Sequence, residues 1–322
     1  MDDVKQNNKP TFNAKIGGEL DEKAKTLKEK NTKYTKAYIS LLFLGAFFAD
    51  IGSFLDPSVS IFAAVICTFL SFLVYRKKNT ENLSEQWTHT RVIAETIKSE
   101  WFMYVVGGGN YPIKEEADEE DCLKSLNSRI KHFMDEYKKK IHSVDGDYVE
   151  SENVYIKSDS FSRRHKTLQE RLEYYKTERM ENQKIWYETS SKEMNQKIKR
   201  YNSSFKLVVG LGTLIGCSMW LNLWQDLNIP FIGNADFFSI AIAFAFALDA
   251  FSSINQYERL SIVYTKSYHD LVDSIQELND PNNDISTNEK VFNEFIEDIE
   301  NKISNEHKSW SITTSTKNMH IS

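Results

Sequence analysis

The sequence predicts an all-α membrane protein with four transmembrane helices in two two-helix units, and with long cytoplasmic helices forming a bundle. Three observations carry that fold class. Apolar residues are gathered into four blocks, although the whole chain, at 322 residues, 27% charged and net charge −6, has the composition of one or two soluble domains. Basic residues flank each block on one side, and the two short connections between paired blocks hold no Lys or Arg. The long segments outside the blocks are polar, and several follow the 3.6-residue period of amphipathic helices.

The blocks run from about Tyr38 to Leu55, Val59 to Tyr75, Leu207 to Trp224 and Phe237 to Ile254. Each is 17 or 18 residues long. At 1.5 Å rise per helical residue that is about 27 Å, close to the roughly 30 Å hydrocarbon thickness of a bilayer. Block two contains no charged residue, and block three none between Lys206 and Asp226, whereas a core helix of a soluble protein keeps a polar face. Block four alternates Ala and Phe in a strand-like way. Both phases are apolar, however, and no series of ten-residue alternating segments exists to close a barrel, so it is read as a helix.

Orientation follows from the flanks. Six lysines between Lys23 and Lys36 precede block one, Arg76, Lys77 and Lys78 follow block two, Lys197, Lys199, Arg200 and Lys206 precede block three, and Arg259 and Lys266 follow block four. The positive-inside rule then places both termini and the segment 76–206 in the cytoplasm. The first 37 residues are hydrophilic and predict no secretory signal. Cys67, Cys122 and Cys217 have neither disulfide nor metal-ligand spacing and are expected to be small apolar fillers.

Along the chain the expected domains are a mobile tail at 1–18, a first two-span unit at 19–150, a second at 160–280, and a C-terminal helix and tail at 286–322. Residues 83–105 place Ile93, Ile97, Trp101 and Val105 on one helical face, and GGGNYP at 107–112 ends that helix. The acidic patch 115–121 opens a helix through Lys140, where early carboxylates suit the helix dipole. DGD at 145–147 predicts a turn. One helical pattern without Gly or Pro leads from Ser162 into the third span. The fourth span is expected to continue as helix to Leu278, before NDPNND, and a last helix to cover about 287–307. The tail after it carries no pattern.

The helices beside the spans carry recognisable motifs. RVIAETIKSEWFMY, with Arg91, Ala94, Glu95, Lys98, Trp101 and Tyr104, then Tyr111 and Pro112, resembles the post-span signature of one subgroup of the SLATT family, the SMODS and SLOG associated two-transmembrane effector domains. YKTERMENQKIWYETSSKEMN, with Tyr175, Arg179, Gln183, Trp186, Tyr187, Lys192 and Asn195, resembles a second subgroup. The tandem covers about residues 20–280. The resemblance implies a bacterial inner-membrane protein, multi-pass, acting as a pore-forming effector in nucleotide-signalled conflict systems; the signalling ligand stays unknown. Physically, Arg91, Glu95 and Lys98 can form one ion-pair row beside Trp101, and Arg179, Gln183 and Trp186 share a face. Such rows are either solvated or helix-packing faces, or locks between neighbouring helices or subunits.

Two acidic residues interrupt the apolar blocks. Asp50 lies in block one with Ala46 and Ser53 on its face, and Asp249 lies in block four with Ala245, Ser252, Ser253 and Gln256. A charged Asp at a span centre costs about 3 kcal/mol. The carboxylates are either structural, paired with facing helices, or they line a water-filled path that favours cations. The second reading requires a homo-oligomer, since four helices from one chain cannot enclose a wide pore. Gly212 and Gly216 provide small-xxx-small packing in span three. No HExxH, CxxC, GxSxG or phosphate loop occurs, so neither an enzyme nor a cofactor or metal site is expected. The acidic balance argues against nucleic acid as a partner. The expected partners are the lipid bilayer, further copies of the chain and permeating cations. The functions weighed are a homo-oligomeric pore that permeabilises the membrane, a regulated cation channel with a housekeeping role, and a non-conducting membrane scaffold.

Overall fold

The computed structural model describes residues 15–50, 56–113, 119–141, 162–220, 237–280 and 282–319, and among them every regular element is helical. These are α1 (Lys15–Asp50), α2 (Pro57–Thr80), α3 (Leu83–Val106), α4 (Glu119–Ile141), α5 (Leu168–Tyr175), a π-helical segment (Lys176–Glu181), α6 (Asn182–Trp220), α7 (Phe237–Ile254), α8 (Tyr257–Leu278) and α9 (Glu289–Met319). Ser53, the ends of the first and third apolar blocks, the acidic residues 115–118 and the DGD at 145–147 lie outside the described residues.

Local chemistry sets the helix ends. Pro57 opens α2 at a position where its missing N–H costs nothing, and the Asp56 side chain accepts the Ser58 amide at 2.9 Å. Lys77 and Lys78 in its last turn complement the dipole. Gly107 ends α3 by taking φ +75°, a left-handed conformation that a side chain would strain. Glu119, Glu120 and Asp121 fill the first turn of α4. A capping box between Thr167 and Glu170 starts α5 at Leu168 rather than near Ser162. From there the helix runs without interruption through one π turn to Trp220.

Two expectations are corrected. The fourth apolar helix does not continue to Leu278: it stops at Ile254, Gln256 takes φ +52°, and α8 restarts at Tyr257. The Phe251 carbonyl accepts both from the Asn255 backbone N–H at 3.2 Å and from the Asn255 side-chain amide at 2.7 Å, so the last helical turn is closed twice at the break. Gln256, expected on a helical stripe, therefore sits at a corner. At the other end of the chain, α9 extends to Met319, well past the expected boundary near 307.

The chain folds into two compact units that interleave in sequence. The first unit comprises Met1–Lys28, Ser84–Thr189 and Val263–Ser322. It has a conventional core in which Ile97, Trp101 and Val105 of α3, Leu126 and Ile130 of α4, Tyr175 and Tyr187, and Phe292, Ile296 and Ile299 of α9 are buried. The second unit comprises Glu29–Leu83 and Ser190–Ile262. Here the pattern is inverted: α2 buries Ser60 and Ser71 while exposing Ile61, Phe62, Val65, Phe69 and Phe72. Leu207, Leu211 and Leu214 of α6 and Phe246 of α7 are exposed as well. Two helical stretches, Pro57–Val106 and Ser239–Leu278, are long and apolar enough to cross a membrane, and only 11% of the most apolar window of each is buried.

Candidate functional site

Within the first unit the two sequence motifs pack against each other. Arg179 sits in the π segment, 2% exposed, and reaches α9, where it donates to Glu300 twice, Nε to Oε1 at 2.9 Å and Nη2 to Oε2 at 2.8 Å. The Tyr175 hydroxyl donates to the same Oε1 at 2.9 Å. Arg179 Nη1 lies 3.6 Å from Glu95 of α3, and its guanidinium stands 5.2 Å from the Phe102 ring centroid. Burial works against the charge on Arg179, but Glu300 and Glu95 outweigh it and hold its pKa above the ordinary value. Burial, followed by the charge of Glu300, pushes the Tyr175 hydroxyl well up. A π turn widens the helix by one residue, which seats Arg179 inward while Trp186, further along, stays 37% exposed.

The remaining motif residues surround this pair. Lys98 pairs with Glu95 at 3.0 Å and with Asp21 of α1. The Arg91 guanidinium lies 4.6 Å from the Trp186 ring centroid, and Trp186 meets Tyr187 and Tyr264 edge-on. Trp101 and Tyr187 are buried, Gln183 is half-buried and Asn195 is exposed. Along this face Arg179 is enclosed, Gln183 is half-buried, and Trp186 is 37% exposed while packed against Arg91, Tyr187 and Tyr264.

Three further groups were not visible in the sequence. Arg164, 1% exposed, donates to the carbonyls of Tyr104 at 2.6 Å and Tyr111 at 2.9 Å and pairs with Glu119 at 2.6 Å. Arg171 donates to the Val106 carbonyl and pairs with Glu289. Both guanidinium groups thus cap the carbonyl end of α3, where positive charge is favoured. Glu100, 4% exposed, accepts from Arg129 and from the Tyr111 hydroxyl at 2.6 Å. Nothing in the basic run SRRHK at 162–166 or around Arg171 marks the first two as partners of the α3 carbonyls.

In the second unit the four apolar segments meet at one level. Tyr38 and Ile39 of α1, Val74 of α2, Tyr201 of α6, and Phe251, Ile254 and Tyr257 around the α7–α8 corner form a single cluster. Ser71 donates to the Tyr38 carbonyl at 2.8 Å. On one side of that level α1, α2 and α7 are mainly apolar and α6 becomes so after Lys206, while on the other side each segment carries Tyr with Lys or Arg. Gly45 of α1 lies so close to α2 that a Cβ there would stand 2.9 Å from Thr68 Oγ1 and 3.3 Å from the Ala64 carbonyl. Gly212 is buried, and a Cβ there would stand 3.0 Å from that of Ala241, whereas Gly216 is half-buried. Asp249 is exposed, with Ser253 one turn on, also exposed, and Ser252 half-buried. Asp249 is only two residues from Phe251, about 3 Å along the axis, so it belongs near the basic level rather than at mid-span. Asp50, half-buried, ends the described part of α1 about 18 Å beyond Tyr38. Among the described residues no group of three His, Cys, Asp or Glu is placed to hold a metal.

The family model of SMODS and SLOG-associating 2TM effector domain 1 matches residues 175–310, and that of a protein of unknown function (DUF4231) matches residues 21–119. The first of these starts at Tyr175 and includes Arg179, Glu300 and the α6 and α7 segments. Its match runs further toward the C-terminus than the expected limit near 280. No curated protein and no solved structure is significantly similar to the chain.

Proposed function

We propose that this chain, which carries a SMODS and SLOG-associating 2TM effector domain and is a membrane protein, crosses the bilayer four times and assembles with further copies of itself into a cation-conducting pore. The observation that carries the proposal is the inversion of α2, which turns two serines inward and its Phe and Ile side chains outward. In water, exposure of that much apolar surface costs about 25 cal/mol per Å². In lipid it costs nothing, and the buried serines serve as interhelical contacts. The shared level at which all four segments turn from apolar to basic supports four crossings.

Pore formation draws its support from α7. Ile242, Phe246, Asp249 and Ser253 are exposed on one face, so an acidic group stands outward where that face leaves its apolar stretch for the basic level. At that level the carboxylate meets water, and a ring of copies gathers the acidic groups around one path. Asp249 and Ser253 then form a cation-attracting mouth, and Phe246 one turn deeper forms an apolar constriction. Tight pairing of the two motifs in the first unit provides the element that a signal would loosen to open it.

Induced expression with a potential-sensitive dye tests the proposal. Depolarisation with growth arrest, weakened by Asp249→Asn and Asp50→Asn at equal membrane abundance, is the expected result. Ion-specific conductance without toxicity would instead favour a housekeeping channel. An unchanged membrane potential would leave a scaffold and contradict the pore.

A further inference from the structure

We propose that the basic level of the second unit binds anionic phospholipid headgroups, an inference that rests on the four-span reading and adds a specific lipid partner to it. The segments 29–36, 76–83, 190–206 and 255–262, which adjoin the level where the four apolar helices meet, hold twelve Lys and Arg against four Glu. The chain as a whole has net charge −6, so this excess is local. Two of the four carboxylates are already engaged, Glu81 with Lys30 at 2.7 Å and Glu193 with Lys197 at 2.6 Å.

Lys33, Lys36, Arg76, Lys199, Arg200 and Lys206 are exposed, and among the described residues no carboxylate pairs with them. A cation beside a low-dielectric slab and without a counter-charge is under-compensated, and the headgroup phosphate of an anionic lipid is the anion available at that depth. Tyrosines order the same level. The Lys77 ammonium stands 5.9 Å from the centroid of the Tyr34 ring, that of Lys78 5.6 Å from Tyr38, and that of Lys197 5.5 Å from Tyr257. These contacts hold three cationic side chains in place before any lipid arrives, which lowers the ordering cost of binding. The tyrosine rings also have the amphipathic character of residues at the headgroup boundary. Charge sign, depth and aromatic framing together fit a phosphate-bearing lipid rather than a soluble anion.

Native mass spectrometry of the detergent-solubilised full chain, with equimolar phosphatidylglycerol and phosphatidylcholine, reads the preference directly. Wild-type protein should retain phosphatidylglycerol over phosphatidylcholine by about tenfold or more, since each Lys or Arg near an anionic surface contributes roughly fivefold. The triple variant Lys36→Gln, Arg76→Gln, Lys206→Gln should approach parity, while Lys36→Arg with Lys206→Arg should keep the preference and so separate charge from folding. Lys131→Gln with Lys290→Gln, exposed on the first unit, should change nothing. Equal retention of both lipids by the wild type, or a triple variant that still selects phosphatidylglycerol, would overturn the proposal. Flotation with neutral phosphatidylcholine vesicles distinguishes the two levels of failure. A chain that floats but shows no lipid preference refutes headgroup binding alone, whereas one that does not float refutes the membrane reading and this inference with it.

Discussion

Replacing Arg179 by Met gives the sharpest test of how the two motifs hold the first unit together. Glu300 is 3% exposed and receives two hydrogen bonds from Arg179 and one from Tyr175. With Arg179 gone, a buried carboxylate keeps a single phenolic donor, and Glu95 loses its contact at 3.6 Å. Removal of one partner from a buried ion pair costs about 3 to 5 kcal/mol, most of it the penalty of the stranded charge. Hydrogen exchange of the α9 backbone amides between Phe292 and Ile303 measures the local opening energy. Since about 1.4 kcal/mol corresponds to a factor of ten, protection should fall by roughly two to four orders of magnitude, up to the limit set by global unfolding. Arg179→Met combined with Glu300→Leu removes both charges and should recover most of the loss, leaving about 1 to 2 kcal/mol for the orphaned Tyr175 hydroxyl. Adding Tyr175→Phe should recover that as well. Undiminished protection in Arg179→Met, or a double variant as unstable as the sum of its singles, would show that the pair does not fasten α9.

Gly108→Ala should destabilise the first unit by about 1 to 3 kcal/mol, because its Cβ would fall 2.5 Å from Ile296 Cγ2; a lower thermal midpoint by circular dichroism, partly restored by Ile296→Ala, is the expected outcome. Gly45→Val should part α1 from α2, since the Ala64 backbone oxygen 3.3 Å away cannot yield, and should lower the midpoint of detergent-induced unfolding in mixed micelles. Asp21 gives a pH dependence. Burial raises its carboxyl above the ordinary range, the charge of Lys98 opposes that, and Glu95 adds to it. A raised folded pKa means that the folded chain prefers the protonated form, so the contribution of Asp21 to stability is present below the unfolded pKa and is lost as pH rises through the folded one. Asp21→Asn should flatten stability over that acidic range and should not lower it at neutral pH, as followed by thermal unfolding at a series of pH values.

The apolar blocks and most helix ends were legible in the sequence because local signals write them. Gly107 ends α3, and Asp56 with Pro57 starts α2. The break after Ile254 was not, since Asn255–Gln256 contains neither Gly nor Pro, and only its φ of +52° at Gln256 marks the corner. The same blindness affects partners far apart in sequence. Arg179 and Glu300 are separated by 121 residues, and periodicity alone put Arg179 on a face with Gln183 and Trp186 without naming what that face meets. The π turn shifts that register, and no residue pattern announces it. Among the candidate residues, the motif aromatics Trp101, Tyr175 and Tyr187 lie buried, as helical spacing beside a core permits, whereas the depth of Asp249 emerged only from its neighbour Phe251 in the four-helix cluster.

Planar-bilayer recording of the purified, reconstituted chain tests conduction most directly, with a salt gradient across the membrane to read selectivity. A homo-oligomeric pore with acidic mouths predicts discrete current steps whose reversal potential follows the cation gradient, and Asp249→Asn should move that potential toward zero. Bilayers that stay electrically silent while quantitative labelling proves the protein is inserted would contradict it.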